Sequence, residues 1–194
     1  MKTCILFPGQ GAQAIGMGKD LYDAYGKVRE LFEQASDITK IKLAELIFSG
    51  TEDDLKQTKN TQVALALVDY ATAIVLHDMG LSFQGTAGFS LGEWPALVEA
   101  GVLTFESMMH LVAERGRLMD EAGRRSGGST MSAVLALEPE KIEEALKQAG
   151  ITDVWVANYN APNQSVISGT ETGIAKAEEI IKAAGARRVV RLKV

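Results

Sequence analysis

At 194 residues the chain is long enough for one domain of ordinary size or two small ones. Hydrophobic residues at 46% and charged residues at 23% match a globular protein and exclude disorder, collagen and coiled coil. Twenty Lys and Arg against 25 Asp and Glu give a formal charge of -5, which argues against a broad nucleic-acid-binding surface. The single cysteine, Cys4, excludes an intramolecular disulfide framework and a cysteine-based zinc site. The first apolar run, Cys4 to Phe7, is too short for a signal-peptide core. The stretch Val63 to Leu76 carries Asp69 and Thr72 and is too short to cross a bilayer. A cytoplasmic protein without membrane contact is expected.

Thr3 to Phe7 is β-branched and apolar and predicts a buried strand, followed by a tight loop, Pro8-Gly9-Gln10-Gly11-Ala12-Gln13. Helical spacing of Val28, Leu31, Phe32 and Ala35 predicts a helix over Tyr25 to Ser36, and Ile41 to Phe48 a second. Thr51-Glu52-Asp53-Asp54 has the form of a cap with acidic first-turn residues. Asn60 or Thr61 can cap a long helix to about His77, ended by Gly80. Gln84 to Phe89 predicts a short strand, and Ser90-Leu91-Gly92-Glu93 opens a helix that holds Pro95 in its first turn. Thr104 caps a helix from about Phe105 to Ala122, and Gly123 to Ser129, without an apolar residue, predicts a linker.

Beyond it, strands at Met131 to Leu137, Val154 to Asn160, Gln164 to Ser168 and Arg187 to Val194 alternate with helices at Pro139 to Ala149 and Thr170 to Ala184. The order βαββαβ is a complete ferredoxin-like unit within residues 130–194. The last strand places Arg187, Val189, Arg191 and Lys193 on one face, a basic stripe that reads as a solvated surface. The first half, with two convincing strands, is few-stranded for an α/β layer domain. The expected organisation is therefore 1–123, a linker at 124–129, and 130–194.

Gly88-Phe89-Ser90-Leu91-Gly92 matches G-x-S-x-G in the context strand, sharp turn, helix. Small residues two before and two after a serine let strand and helix approach and hold the hydroxyl out at a helix N-terminus. The same pattern describes a serine capping an ordinary helix, and this motif alone leaves both open. On the helix from Phe105, the residues Met108, Leu111, Val112, Leu118, Met119 and Ala122 form an apolar stripe with Arg115 in its middle. A guanidinium facing a core is costly unless it meets an anion, either a structural carboxylate or a ligand's. The Gly9-Gln10-Gly11 loop offers backbone N–H groups that can stabilise an oxyanion, and it lacks the Gly-Lys-Ser/Thr of a phosphate loop. His77, ending the long helix, and His110, off the Arg115 stripe, have no flanking pattern of a general base.

Together these residues resemble the malonyl-CoA:acyl carrier protein transacylase family, the acyltransferases of fatty-acid and polyketide synthesis. The matching pieces are Phe7-Pro8-Gly9-Gln10-Gly11-Ala12-Gln13, Thr61-Gln62, Gly88 to Glu93, Val102 to Phe105, Arg115 to Met119, and Asn158 to Gln164 with Val166-Ile167-Ser168-Gly169. They stand in family order across essentially the whole chain. The resemblance implies an α/β fold: an incomplete α/β-hydrolase-like large subdomain with an inserted ferredoxin-like small one. It implies Ser90 as nucleophile, backbone N–H groups of Gln10 and Leu91 for the oxyanion, and Arg115 for the malonyl carboxylate. Gln62 and Asn160 would line the pocket. Malonyl-CoA and the phosphopantetheine thiol of acyl carrier protein would be the partners, in a ping-pong reaction with no cofactor of the enzyme's own.

Phe89 stands where the family has histidine, and Trp94 and Pro95 are unusual neighbours of the motif. The resemblance also implies a catalytic histidine, and the rest of the sheet, beyond Val194, so that a complementing C-terminal segment would restore the base. Two other functions remain open: a non-catalytic binder of acyl-CoA or carrier protein, and a serine hydrolase using His77 or His110.

Overall fold

A computed structural model describes residues 2–125 and 128–192, and the chain divides into two compact units, Met1–Glu121 and Ala122–Val194. The first unit contains β1 (Cys4–Phe7), α1 (Lys19–Ala24), α2 (Gly26–Thr39), α3 (Leu43–Ser49), α4 (Glu52–Lys56), α5 (Thr58–Asp78), β2 (Gly85–Gly88), a 3-10 turn (Ser90–Gly92), α6 (Glu93–Glu99) and all but the last turn of α7 (Phe105–Arg125). α7 therefore continues two residues into the predicted linker, and Ser126 and Gly127 of that linker lie outside the described residues.

α5 is the pillar of this unit. Residues 61–69 are buried without a break, the signature of a helix enclosed on all sides rather than laid on a core. It begins earlier than the sequence suggests, because Thr61 is an anchor rather than a cap: its Oγ1 donates to the Leu55 carbonyl at 2.5 Å. The cap at Thr51 forms as expected, its Oγ1 accepting from the Asp54 N–H at 3.1 Å, and Thr104 does the same for Ser107 at 3.1 Å. Tyr22, Phe32 and Phe48 interlock beside α5, with ring centroids 5.1 to 5.4 Å apart.

β1 and β2 pair in parallel, Phe7 opposite Gly88. Ile5 and Phe7 pack on Ala73 of α5 and Ala96 of α6, whereas Leu6 on the other face is 74% exposed. Parallel strands are ordinarily covered on both faces, so this bare face is an anomaly of the unit.

The second unit contains β3 (Ser129–Leu135), α8 (Pro139–Gln148), β4 (Val154–Ala161), β5 (Gln164–Thr170), α9 (Glu171–Ala183) and β6 (Arg188–Arg191). Its four strands lie in the order β4-β5-β3-β6, all neighbours antiparallel. Val134, Val154 and Ile167 face Ile142 of α8 and Ile174, Ala177 and Ile181 of α9 in a closed core. On the last strand Arg187 and Arg191 are exposed, as the alternation suggests. Val189 packs on this core, and Arg191, opposite Ser132, pairs through Nε with Glu178 of α9 at 2.8 Å. Lys193 and Val194 lie outside the described residues.

Three buried side-chain oxygens, on Asp69, Thr86 and Ser165, have no partner among the described residues, and the carboxyl carries the largest consequence. Asp69 on α5 is 7% exposed and its Oδ2 finds no partner among the described residues. Burial pushes its carboxyl up to about 7. The folded chain then keeps this proton until about pH 7, while the unfolded chain releases it near pH 4. Its contribution is full below the unfolded value and is lost as pH rises, by up to roughly 4 kcal/mol. Asp69→Asn should flatten the stability profile between about pH 4 and 7 and stabilise the chain above it, as read by urea denaturation. An unchanged slope in the variant would contradict this.

Candidate active site

The turn after β2 is built on two close backbone approaches. A Cβ on Gly88 would lie 2.0 Å from the Gly92 carbonyl, and one on Gly92 would lie 2.3 Å from the Phe7 carbonyl oxygen of β1. No other residue type fits either position without moving the backbone. The turn is fastened to the sheet by the Phe89 N–H, which donates to the Phe7 carbonyl at 3.0 Å. It is closed by the Gly92 N–H, which donates to the Phe89 carbonyl at 3.0 Å. Leu91 is fully buried and anchors it below.

Between these fixed points Ser90 takes φ 53°, left-handed backbone that a non-glycine residue adopts at a cost of about 1–3 kcal/mol. Its side chain is exposed. That strain separates an elbow from a capping serine, which keeps extended backbone. The Leu91 N–H follows at the start of the helical turn, where first-turn N–H groups have no intrahelical acceptor. Phe89 does not enter the elbow's packing. Its ring, 51% exposed, lies against the β1 loop, where a Cβ on Gly9 would sit 2.9 Å from Phe89 Cδ1.

Arg115 reaches this turn from α7. Its Nη2 donates to Ser90 Oγ at 3.3 Å, and its Nη1 donates to Gln62 Oε1. Gln62 Nε2 donates in turn to Gln10 Oε1 at 3.1 Å. The sequence places Arg115 within an apolar, core-facing stripe, and here the structure differs. α7 buries Met108, Met109, Val112 and Gly116, while Leu111, Leu118 and Met119 are 43%, 50% and 42% exposed. The helix is rotated because Gly116 comes so close to α5 that a Cβ there would lie 2.8 Å from Lys59 Cα. Arg115 is consequently half-buried at the margin of the core. Burial lowers its pKa, and the nearby Glu93 charge opposes that.

Gln62 is also placed differently from expectation. It is 1% exposed, so it lies beneath the arginine and lines no open surface. Neither histidine is bonded to Ser90. His77 Nε2 meets Glu99 Oε1 at 2.8 Å and its Nδ1 meets the Leu81 carbonyl at 3.0 Å, which occupies both nitrogens. His110 is exposed on α7. Asn160 belongs to the second unit, exposed near the end of β4, where register shifts interrupt the pairing with β5. Among the described residues no group of three or more His, Cys, Asp or Glu is arranged to hold a metal ion. Also among them, no helix is long and apolar enough to cross a membrane.

The sequence brings Ser90, Arg115, Gln62 and Gln10 into view one at a time, and the structure joins them in one polar chain. Gly116 and the side chain of Gln10 were missed. A glycine in mid-helix beside an arginine was the available signal for the first. Gly116→Ala should cost about 1–3 kcal/mol in chemical denaturation, because its Cβ meets the α5 backbone rather than a movable side chain. A variant as stable as the parent would show that the helices do not approach so closely.

The acyl transferase domain family matches residues 4–194. The malonyl CoA-acyl carrier protein transacylase of Bacillus subtilis is 40% identical over 197 residues, covering all of this chain and 61% of that protein. Among solved structures, an acyl carrier protein S-malonyltransferase from Vibrio cholerae matches with TM-score 0.90 and 40% identity, over all of this chain and 64% of that one. A malonyl-transacylase solved in complex with its type II PKS acyl-carrier protein matches with TM-score 0.90 and 38% identity, over all of this chain and 63% of that one. The chain thus spans about three fifths of the length of the relatives it matches. It belongs to the acyl transferase domain family.

Proposed function

We propose that this chain is the serine-bearing part of an acyltransferase that moves a malonyl group from malonyl-CoA to the phosphopantetheine thiol of acyl carrier protein. The observation that carries the reading is the Arg115 guanidinium 3.3 Å from Ser90 Oγ. A nucleophile paired with a fork of N–H donors suits an acyl group that ends in a carboxylate.

In the first half-reaction Ser90 Oγ bonds to the thioester carbonyl carbon, and its proton passes to a base. The N–H groups of Gln10 and Leu91 take the charge on the carbonyl oxygen. The C–S bond then breaks, and the CoA sulfur leaves with the proton from the base. In the second, the carrier thiol gives its proton to the base as its sulfur attacks the malonyl-serine ester, and the C–O bond breaks with that proton passing to Ser90 Oγ. The malonyl carboxylate pairs with Arg115 throughout, and no cofactor of the enzyme's own is required. Asn160 is assigned to the acyl pocket on the resemblance of its Asn-Tyr-Asn segment alone.

The base is proposed to be a histidine in the portion the relatives have beyond this match. Supplied on a complementing polypeptide, that portion would also cover Leu6 on the bare face of β1. We read the first unit as part of an α/β-hydrolase-like subdomain and the second as its ferredoxin-like insertion. One observation favours a second reading for the chain by itself, binding without turnover. Among the described residues the recorded side-chain partner of Ser90 is an arginine, which has only donors and cannot accept the proton. Hydrolysis with His77 as base is disfavoured by the occupation of both its nitrogens.

Intact-mass measurement after exposure to malonyl-CoA tests this. A malonyl adduct on Ser90 is expected in the presence of the complementing segment, with little or none from the chain alone. Fast loading and discharge to water by the chain alone would support a hydrolase instead. In the reconstituted enzyme, Arg115→Ala should reduce malonyl loading by roughly ten-fold or more while sparing acetyl loading, the loss of one charge-assisted pair. Equal losses for the two acyl groups would remove Arg115 from carboxylate binding.

A further inference from the structure

The chemistry of the donors fixes how Gln62 sits. Arginine offers only N–H groups, so the end of the Gln62 amide that faces Arg115 is its oxygen, and the end that faces Gln10 is its nitrogen. The polar chain therefore has one direction: Arg115 gives to Gln62, and Gln62 gives to Gln10. Gln62 has little room for another arrangement. It is 1% exposed, and a Cβ on Gly116 would lie 3.3 Å from both its Cβ and its Cγ.

A carboxylate that takes the Arg115 fork competes directly with Gln62 Oε1 and Ser90 Oγ for the same N–H groups. A buried amide oxygen that loses its donor is costly, so Gln62 must shift with the arginine or lose its hold on Gln10. Gln10 lies on the loop whose backbone N–H is the proposed oxyanion donor, next to the Gly9 that rests against Phe89. We propose that Gln62 is a positioning residue that couples Arg115 to the Gln10 loop, so that a carboxylate on the arginine adjusts the oxyanion donor. This rests on the reading of Arg115 as a carboxylate site. It adds a selection step: an acyl group without a carboxylate reaches Ser90 while the loop keeps its unliganded setting.

Nuclear magnetic resonance of the 194-residue chain titrated with disodium malonate tests this coupling. In the parent, the Arg115 Nε–H and the backbone N–H of Gln10 and Gly11 should shift together. In Gln62→Met the Arg115 response should persist and the Gln10 and Gly11 responses should be lost. Gln10→Met, which removes the side-chain acceptor and keeps the backbone N–H, should give the same separation and covers the case in which the buried substitution unfolds the chain. A purely structural glutamine would lower stability without separating the two responses. Gln10 and Gly11 shifts that persist in a folded variant would overturn the coupling and leave the carboxylate site standing. No Arg115 response in the parent would overturn both.

Discussion

The site depends on one steric constraint, the approach of the Gly88-to-Gly92 turn to the end of β1. With Gly92 against the Phe7 carbonyl and Gly88 against Gly92, the backbone has no slack, and Ser90 is left in a conformation that its Cβ disfavours. The strain is carried by the packing of buried Leu91 and by the Phe89-to-Phe7 hydrogen bond. In return Ser90 stands exposed at the start of a helical turn, with the first-turn N–H of Leu91 following it. The loop that follows β1 is drawn in as well, since Gly9 rests under Phe89. The approach of this turn to the end of β1 thus positions both Ser90 and the loop that carries Gln10.

A second close approach does the corresponding work for the arginine. Gly116 lets α7 settle onto α5, which turns Leu111 and Leu118 outward and leaves Arg115 at the core margin instead of inside it. A guanidinium there keeps part of its hydration, so the desolvation that would make an unpaired buried charge untenable is only partly incurred. Gln62 completes its support from below. The glycine contacts of the β2 turn and of α7 thus bring Ser90 and the Arg115 fork into one hydrogen bond.

Much of this was legible in the sequence where local chemistry decides the outcome. The G-x-S-x-G spacing encodes its own geometry, because a Cβ at either glycine collides with backbone. The caps at Thr51 and Thr104, and Pro139 opening α8, depend only on neighbours within a few residues. The βαββαβ order follows from period-2 and period-3.6 patterns that need no partner to be read. What failed was long-range. The rotation of α7 is set by Lys59, far along the chain, and an apolar residue reads the same whether or not anything covers it. The ion pair of Arg191 with Glu178 on α9 is a further contact that alternation cannot supply. The burial of Gln62 is invisible for the same reason, since its neighbours come from β1's loop and from α7.

The bare face of β1 and the arginine bonded to Ser90 fit the proposed reading, in which this chain presents a serine nucleophile and a carboxylate clamp and a complementing segment supplies the base. The central claim is the clamp, because it distinguishes a carboxylate-bearing acyl group from any other. Titration calorimetry of the unmodified chain with malonyl-CoA and with acetyl-CoA tests it most directly. The account predicts malonyl-CoA binding tighter by roughly ten-fold or more, the value of one charge-assisted pair. Equal affinity for the two thioesters would contradict it.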